Sequence, residues 1–271
     1  SGSMTQRGAR PLALALLASL AVACSGSTEL QSVPYGFLTF VAQKSTSGHT
    51  ASPIGTFYSA SGLGVPTSTS PWDSCRVQAY TAAPAVGLGS VFPSMDAGTS
   101  IQLKLPSRTD SLFPVTSGSE TQYRPRTSSG IPYTPGDSVG VVIPGAGGDR
   151  GFPAISFRAK TAEAFAVQDF GVPAVGSRID VRWNAAQDDN ATMVFSFRYT
   201  TPGASSLSSQ IYCQFRDDGA DSIPTRFVSS WVSASQKTWV ASRVRTYVAP
   251  VSKGGYFDFI STYEIPTPPS P

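Results

Sequence analysis

Apolar and polar positions alternate along most of this chain. Runs of period two cover residues 101–105, 139–143, 179–183, 193–199 and 211–215. Such alternation buries one face of a strand and leaves the other in water, which is typical of antiparallel sheets. Tyr35–Ala42 and Ser74–Thr81 have strand-like compositions, and clusters of Gly, Pro and Asp between the runs indicate turns. The pattern therefore predicts an all-β fold.

One segment lacks this alternation. Arg7 and Arg10 precede an apolar run, Leu12–Val22, which ends in small residues at Ala23. This is the composition of a secretory signal. The run is too short for a membrane span, which needs roughly 20 apolar residues. We expect residues 1–23 to form a signal helix that is removed, with residues 1–3 as a cloning remnant.

The end of this segment carries a resemblance. Leu20–Cys24 resembles the lipobox of bacterial lipoproteins, in which the cysteine becomes the acylated first residue. The resemblance implies lipidation of Cys24 and a membrane-anchored tether over residues 24–32. It also implies an outer-membrane location on the periplasmic or cell-surface side, which Ser25 fits. Ordinary secretory cleavage after Ala23 and an uncleaved anchor stay open as alternatives.

Charge and length limit the function classes. Taking Arg7 and Arg10 from the 20 basic residues leaves 18, against 17 acidic residues, so the mature chain has a formal charge of +1. A nucleic-acid-binding protein normally has a clustered basic excess, so we expect no nucleic-acid partner. A length of 271 residues allows one large domain or two ordinary ones.

We place a domain boundary near residue 170. Ser177–Ala185 resembles the second strand of an immunoglobulin-like or fibronectin type III module, with Trp183 in the core. The resemblance implies two antiparallel β-sandwich domains of immunoglobulin-like type. They would occupy residues 33–168 and 169–265, with loops at 44–70 and 106–133 and a proline-rich tail at 266–271. A single jelly roll is the alternative.

The chain contains no catalytic signature. The single histidine, His49, lies in an expected solvated loop, and no G-x-S-x-G elbow accompanies it. Glutamate occurs four times, so paired carboxylates of a hydrolase would have to be aspartates. We predict that the protein is not an enzyme, and an aspartate-based hydrolase remains an alternative.

An acidic cluster surrounds Gly219. Asp217, Asp218 and Asp221 offer several carboxylate oxygens at a sharp turn, which suits calcium. They are the candidate metal ligands, and no other cofactor is predicted. Because Asp-Gly is also favoured in tight hairpin turns, a hairpin after Gln210–Arg216 is the alternative.

Two cysteines, Cys75 and Cys213, remain if Cys24 is acylated. Outside the cytoplasm such a pair favours a disulfide. Cys213 shares the phase of the apolar positions in its strand and belongs to the expected second core, whereas Cys75 belongs to the first. Cores of separate sandwiches would hold them beyond the roughly 6 Å between Cα atoms that a bridge needs. A bond between them would therefore favour one continuous fold or a tight seam between domains.

The second half of the chain predicts a face rich in arginine and aromatic residues. The phase that turns Trp183 inward turns Arg182 outward, and placing Val240 and Val244 inside turns their neighbours outward. The predicted interaction face is Arg182, Arg198, Tyr212, Arg216, Trp239, Arg243, Arg245 and Tyr247. Arg, Tyr and Trp dominate binding hot spots. The face predicts a structural or protein-binding module, including an accessory subunit of a larger envelope complex.

Two other interpretations of this face stay open. A carbohydrate-binding module or glycan-associated surface protein would use the same aromatic side chains. Cross-strand stacking and ion pairing on an ordinary wet sheet would explain the pattern without any ligand.

Overall fold

A computed structural model describes residues 32–45, 48–61, 73–81, 92–168 and 172–265. The signal helix, Cys24, the tether up to residue 31 and the tail lie outside the described residues. The all-β class is confirmed. In the part of the chain that the structure describes, no helix is long and apolar enough to cross a bilayer.

The described residues form strands with two short helical elements. The strands are β1 (Val33–Ser45), β2 (Gly48–Ala51), β3 (Ile54–Ala60), β4 (Ser74–Ala79), β5 (Ile101–Lys104), β6 (Thr109–Ser117), β7 (Glu120–Arg124), β8 (Ile131–Tyr133), β9 (Ser138–Ile143), β10 (Ile155–Lys160), β11 (Val167–Gln168), β12 (Ile179–Trp183), β13 (Ala191–Tyr199), β14 (Ser209–Arg216), β15 (Ala220–Ile223), β16 (Lys237–Val251) and β17 (Gly255–Ile265). The helix α1 (Thr225–Ser233) precedes β16, and a 3-10 turn (Ser252–Gly254) joins β16 to β17.

Most of the described strands belong to one large sheet. Its order is β10-β9-β5-β6-β7-β3-β1-β17-β16-β13-β14-β4, and β2 pairs with both β1 and β8 beside it. The strands β1 and β17 are parallel neighbours near the middle, with Tyr35 opposite Tyr256. The remaining pairs that the structure describes in this sheet are antiparallel.

The first part of the sheet curls until β10 faces β16 and β17. Phe157 of β10 stacks on Tyr247 of β16, with 5.1 Å between ring centroids, and also contacts Phe257 and Phe259 of β17. The enclosed apolar cluster, core one, is built from β1, β3, β5, β6, β7, β9, β10 and β17. Gly36 makes room in it, because a Cβ there would lie 2.6 Å from the Phe257 side chain.

A second layer covers the other part of the sheet. The strands β11, β12 and β15 form a separate three-stranded sheet. Trp183 of β12 packs on Phe195 and Phe215 of the large sheet, at centroid distances of 5.5 and 6.3 Å. Trp231 of α1 packs edge-on against Phe197. This cluster is core two.

The two expected loops need correction, and the structure adds one helix. The range 44–70 contains β2 and β3, and the range 106–133 contains β6, β7 and β8. Pro114 and Pro132 lie within β6 and β8, and proline weakens the strand signal in a sequence. The helix α1 is absent from the sequence prediction, although Val228 and Trp231 stand at helical spacing and are buried.

The large sheet crosses the predicted domain boundary. The strand β4, from the first half of the chain, pairs with β14 from the second, and Cys75 lies opposite Cys213. A disulfide joins them. Core one and core two nevertheless draw most of their residues from the first and second halves, respectively. The division into two domains stays a prediction.

The disulfide generates a stability prediction. Replacing both Cys75 and Cys213 with alanine should lower the free energy of unfolding by about 2–5 kcal/mol, because the bond closes a long loop. The sequence separation is 138 residues. Since no side chain of β4 is fully buried, we expect β4 to open first. Urea denaturation measures the loss, and hydrogen exchange of β4 amides locates it. If the β4 amides of the double variant were as protected from exchange as its β13 amides, the prediction that β4 opens first would be wrong.

Candidate functional site

The arginines of β16 face inward. Trp239, Arg243 and Arg245 retain only 5%, 1% and 5% of their exposed surface. Tyr247 lies on the same side of the strand and is half exposed, with its ring stacked on Phe157. The expectation that Trp239, Arg243 and Arg245 point outward is therefore wrong. The four residues do share a face of β16, but it is the inner one.

Arg243 is buried because its guanidinium has a complete set of partners. Its Nε donates to Oδ2 of Asp217 at 2.5 Å, and its Nη2 donates to Oδ1 at 3.0 Å. The remaining donors bind the backbone carbonyls of Glu163, Ala164 and Asn184. A buried charge is tolerated when it is paired and its other donors are satisfied.

Asp217 is equally complete. Besides Arg243, its Oδ1 accepts hydrogen bonds from Trp183 Nε1 at 2.8 Å and from the Ala186 N–H at 3.1 Å. The Arg243 and Asp217 side chains are 1% and 0% exposed. This ion pair therefore joins β16, the end of β14 and the end of β12, and fastens the three-stranded sheet to the large one.

Arg245 forms a second, more exposed network beside the first. It donates to both carboxylate oxygens of Glu163, at 2.8 and 2.7 Å, and to Asp188 at 2.7 Å. Lys160 pairs with the same two carboxylates. Burial alone would raise the pKa of Glu163, but hydrogen bonds from Arg245 and Lys160 hold the pKa below its usual 4.5. The hydrogen bond from Arg245 is the largest cause that lowers the pKa of Asp188.

One member of the acidic cluster at Gly219 is already taken up by an ion pair. Asp217 is committed to Arg243, and no three His, Cys, Asp or Glu side chains within the described ranges are placed to hold a metal. The hairpin alternative is also wrong, because β14 belongs to the large sheet whereas β15 pairs with β12. Gly219 has φ +105° in a turn between the two layers. Calcium binding stays a prediction that rests on Asp218 and Asp221.

Asp221 lies in an acidic surrounding. Burial is the largest cause that raises its pKa, and the charges of Asp73 and Asp218 raise the pKa further, against a hydrogen bond from the Ser222 N–H. Asp73 in turn pairs with Arg216, with 3.6 Å between Nε and Oδ2. The carboxyls of Asp73 and Asp221 are close enough to interact directly. The hydrolase hypothesis stays a prediction, and this pair is where it would be tested.

His49 lies in a strand and not in the expected solvated loop. It pairs with Lys44 of β1 and Tyr133 of β8. Its ring is half-buried, with Nε2 3.3 Å from the Tyr263 hydroxyl. Burial raises the pKa of Tyr263, so this hydroxyl stays protonated at neutral pH.

A different arginine and tyrosine surface lies on the outer side of β13, β14 and β4. Ile211 and Cys213 of β14 point into core two, so the residues between them point away. We call this surface the Arg–Tyr face; it consists of Arg76, Gln78, Tyr80, Ser196, Arg198, Gln210 and Tyr212. Tyr212 lies opposite Arg76 on one side and Ser196 on the other.

Stacking and hydrogen bonds hold this face together. The Arg76 guanidinium lies 4.7 Å from the Tyr212 ring centroid, and that of Arg198 lies 4.8 Å from Tyr80. Gln210 accepts a hydrogen bond from Ser196 at 2.6 Å. Nε of Arg198 is buried with no hydrogen-bond partner among the described residues.

A shallow groove continues the face toward the other end of the strands. It has a volume of about 350 Å³. Its lining is Asp189, Asn190, Thr192, Val194, Tyr212, Gln214, Val244 and Thr246. Amide, hydroxyl and aromatic groups therefore lie side by side on an open sheet surface.

The remaining predicted residues are divided between two surfaces. Arg198 and Tyr212 lie on the Arg–Tyr face, and Arg216 lies at the end of β14 in its ion pair with Asp73. Arg182 lies on β12, in the layer on the opposite side of core two. The phase of β14 could be predicted because its inward positions are all apolar. Arg76 and Tyr80 were missed because nothing local indicates that β4 joins β14.

The buried ion pair generates a second prediction. The substitution Asp217→Asn leaves the Arg243 charge buried without its counter-charge and should lower the free energy of unfolding by about 3–5 kcal/mol. Asp180→Asn is the matched control. Asp180 also forms an ion pair, with Arg178, but its side chain is 58% exposed. The control should change stability by less than about 1 kcal/mol. Urea denaturation of both variants measures the change in the free energy of unfolding. Equal losses of stability in the two variants would contradict a special role for Asp217.

The raised pKa of Asp221 generates a prediction of opposite sign. A carboxyl whose pKa is raised by folding destabilises the folded state once the pH exceeds its ordinary value of 3.8. The substitution Asp221→Asn should therefore raise the melting temperature at pH 7, and this gain should disappear below that pH. Thermal melts across the pH range measure it. If calcium binds here, adding it should stabilise the parent protein and not the variant.

Comparison of the chain with protein-family models, curated proteins and solved structures finds no significant match.

Proposed function

We propose that this protein is a lipid-anchored extracytoplasmic module that binds a protein partner through its Arg–Tyr face. The observation that carries the proposal is the continuity of that face across β13, β14 and β4. Tyrosine and arginine bury large areas and form directional bonds, which is why they dominate binding hot spots.

The proposed compartment has two independent supports. The disulfide between Cys75 and Cys213 suits an oxidising environment outside the cytoplasm. The segment Leu20–Cys24 resembles a lipobox, which implies acylation at Cys24 and an outer-membrane location. Stable anchoring takes more than one acyl chain, as the resemblance implies.

We also propose that the two halves are β-sandwich units, the second of them immunoglobulin-like. The support is the pair of apolar clusters, with Trp183 packed between the layers of core two. The large sheet continues through both units, so the seam between them is hydrogen-bonded.

Intact mass of the protein purified from its own membrane tests the anchor. We expect a chain that begins at Cys24, carries added acyl mass and lacks the two hydrogens of the disulfide. A mass without lipid would overturn the anchor. A chain that retains residues 4–23 would show that the signal segment is kept.

Substitutions on the face test the binding. Arg76→Glu and Tyr212→Ala should each weaken partner binding by about tenfold or more, the effect of removing a hot spot. Arg182→Glu is the matched control, because this arginine is exposed on the opposite layer. Cross-linking in intact membranes, followed by affinity measurement with the partner it captures, compares the variants. Equal binding by all four proteins would overturn the assignment of this face.

Carbohydrate binding is the second candidate function. The groove beside the face presents Asn190, Thr192 and Gln214 next to the Tyr212 ring, a combination that suits sugar hydroxyls and the apolar side of a pyranose. Titration with neutral oligosaccharides tests it. Saturable binding that is lost in Gln214→Ala would favour a glycan over a protein partner.

A further inference from the structure

We propose that the β6–β7 hairpin docks on the anionic surface of the membrane that holds the anchor, and so sets the orientation of the molecule. This inference rests on the proposed lipid anchor. Three features carry it. The hairpin tip lies near the first described strand, apolar side chains of the hairpin point outward, and Arg124 and Arg126 beside them form no ion pair with a described residue.

The tip of the hairpin lies at the end of the molecule where the tether enters. Val33, the first residue of β1, pairs with Ala60 of β3. The segment Pro93–Ser94 lies next to β3, through the Ser59 N–H, and the Thr121 N–H donates to Ser94 Oγ. From β1 to β3, from β3 to the Pro93–Ser94 segment and from that segment to β7 are three steps between neighbouring strands, each of roughly 4.8 Å. They place the hairpin tip about 15 Å from Val33. Residues 24–32 reach at most about 30 Å from a lipid at Cys24.

The outer side of the hairpin is apolar and cationic. Leu112 and Tyr123 point into core one, so Phe113 and Val115 point outward. Val115 is 53% exposed. Arg124 lies opposite Phe113, and the Arg126 guanidinium lies 3.8 Å from the centroid of its ring.

The charges of the two arginines are not compensated by a described carboxylate, since Arg124 donates to the neutral amide oxygen of Gln122 and Arg126 stacks on Phe113. Neither Arg124 nor Arg126 forms an ion pair with any residue in the described ranges. Of the two carboxylates on this hairpin, Asp110 pairs with Arg108, and Glu120 accepts hydrogen bonds from Tyr58 and Gln122. Basic side chains near an anionic leaflet are attracted to its headgroups, and apolar side chains beside them enter the interface.

A second basic pair on the same sheet face provides the matched control. Lys104 and Arg158 lie on either side of Gly140, in one row across β5, β9 and β10. They too form no ion pair with a described residue. Lys104 pairs with Thr109, at the end of β6 away from the hairpin tip. The control variant thus removes the same charge from a place that the tether does not bring to the membrane.

The experiment uses the full protein, purified from its membrane and reconstituted into vesicles. Val115→Cys, labelled with an environment-sensitive fluorophore, reports insertion. We expect a blue shift and brighter emission in phosphatidylcholine vesicles that contain phosphatidylglycerol, and little change in phosphatidylcholine alone. Added salt should reduce the response. Arg124→Gln with Arg126→Gln should remove most of it, whereas Lys104→Gln with Arg158→Gln should leave it intact.

Two results would overturn the docking alone. In the first, the protein is acylated and bound to the vesicles, but the label on residue 115 does not respond. In the second, both double variants lose the response equally. A protein that carries no acyl group and stays with neither vesicle overturns the anchor and the docking together.

Discussion

The buried pair of Arg243 and Asp217 determines how the two layers of the protein meet. An ion pair removed from water is favourable only when its geometry and its remaining hydrogen bonds are complete. Here Asp217 also binds Trp183 and the Ala186 N–H, and Arg243 binds backbone carbonyls on two connecting segments. Apolar packing alone would tolerate small slips between layers. These directional bonds fix one arrangement.

The same pair determines which surface the protein presents. Because Arg243 faces inward, the alternate residues of β16, including Val240 and Val244, face outward. Arg243 and Arg245, which the sequence pattern placed on the binding face, are therefore buried and form ion pairs inside the protein. The surface that we propose for binding is a neighbouring one, where Arg76 and Tyr212 come from strands in different halves of the chain. The ion pair that joins the layers and the surface proposed for binding thus lie on opposite sides of one sheet.

The sequence pattern predicted the inward face of a strand where apolar and polar residues alternate. It failed where residues distant in the sequence determine which face is buried. The strands β12, β13 and β14 alternate apolar and polar residues, and their inward faces follow from that. In β16 both faces contain apolar residues, so the phase depends on Asp217 and Glu163, which lie far away in sequence. The strand β4 has no buried face of its own, so its place beside β14, and with it Arg76, could not be predicted. The disulfide between Cys75 and Cys213 could be proposed from the sequence, but the pairing of β4 with β14 that brings the two cysteines together could not.

The parallel pairing of β1 with β17 has a consequence for how the protein is made. Tyr35 finds its neighbour at Tyr256, so the centre of the sheet has one of the most non-local contacts in the chain. Contacts of this kind slow folding and leave strand edges exposed in the meantime. A chain synthesised amino terminus first leaves one edge of β1 open until β17 has been made, although the other edge can already pair with β3. The centre of the sheet therefore closes only once the last described strand is available.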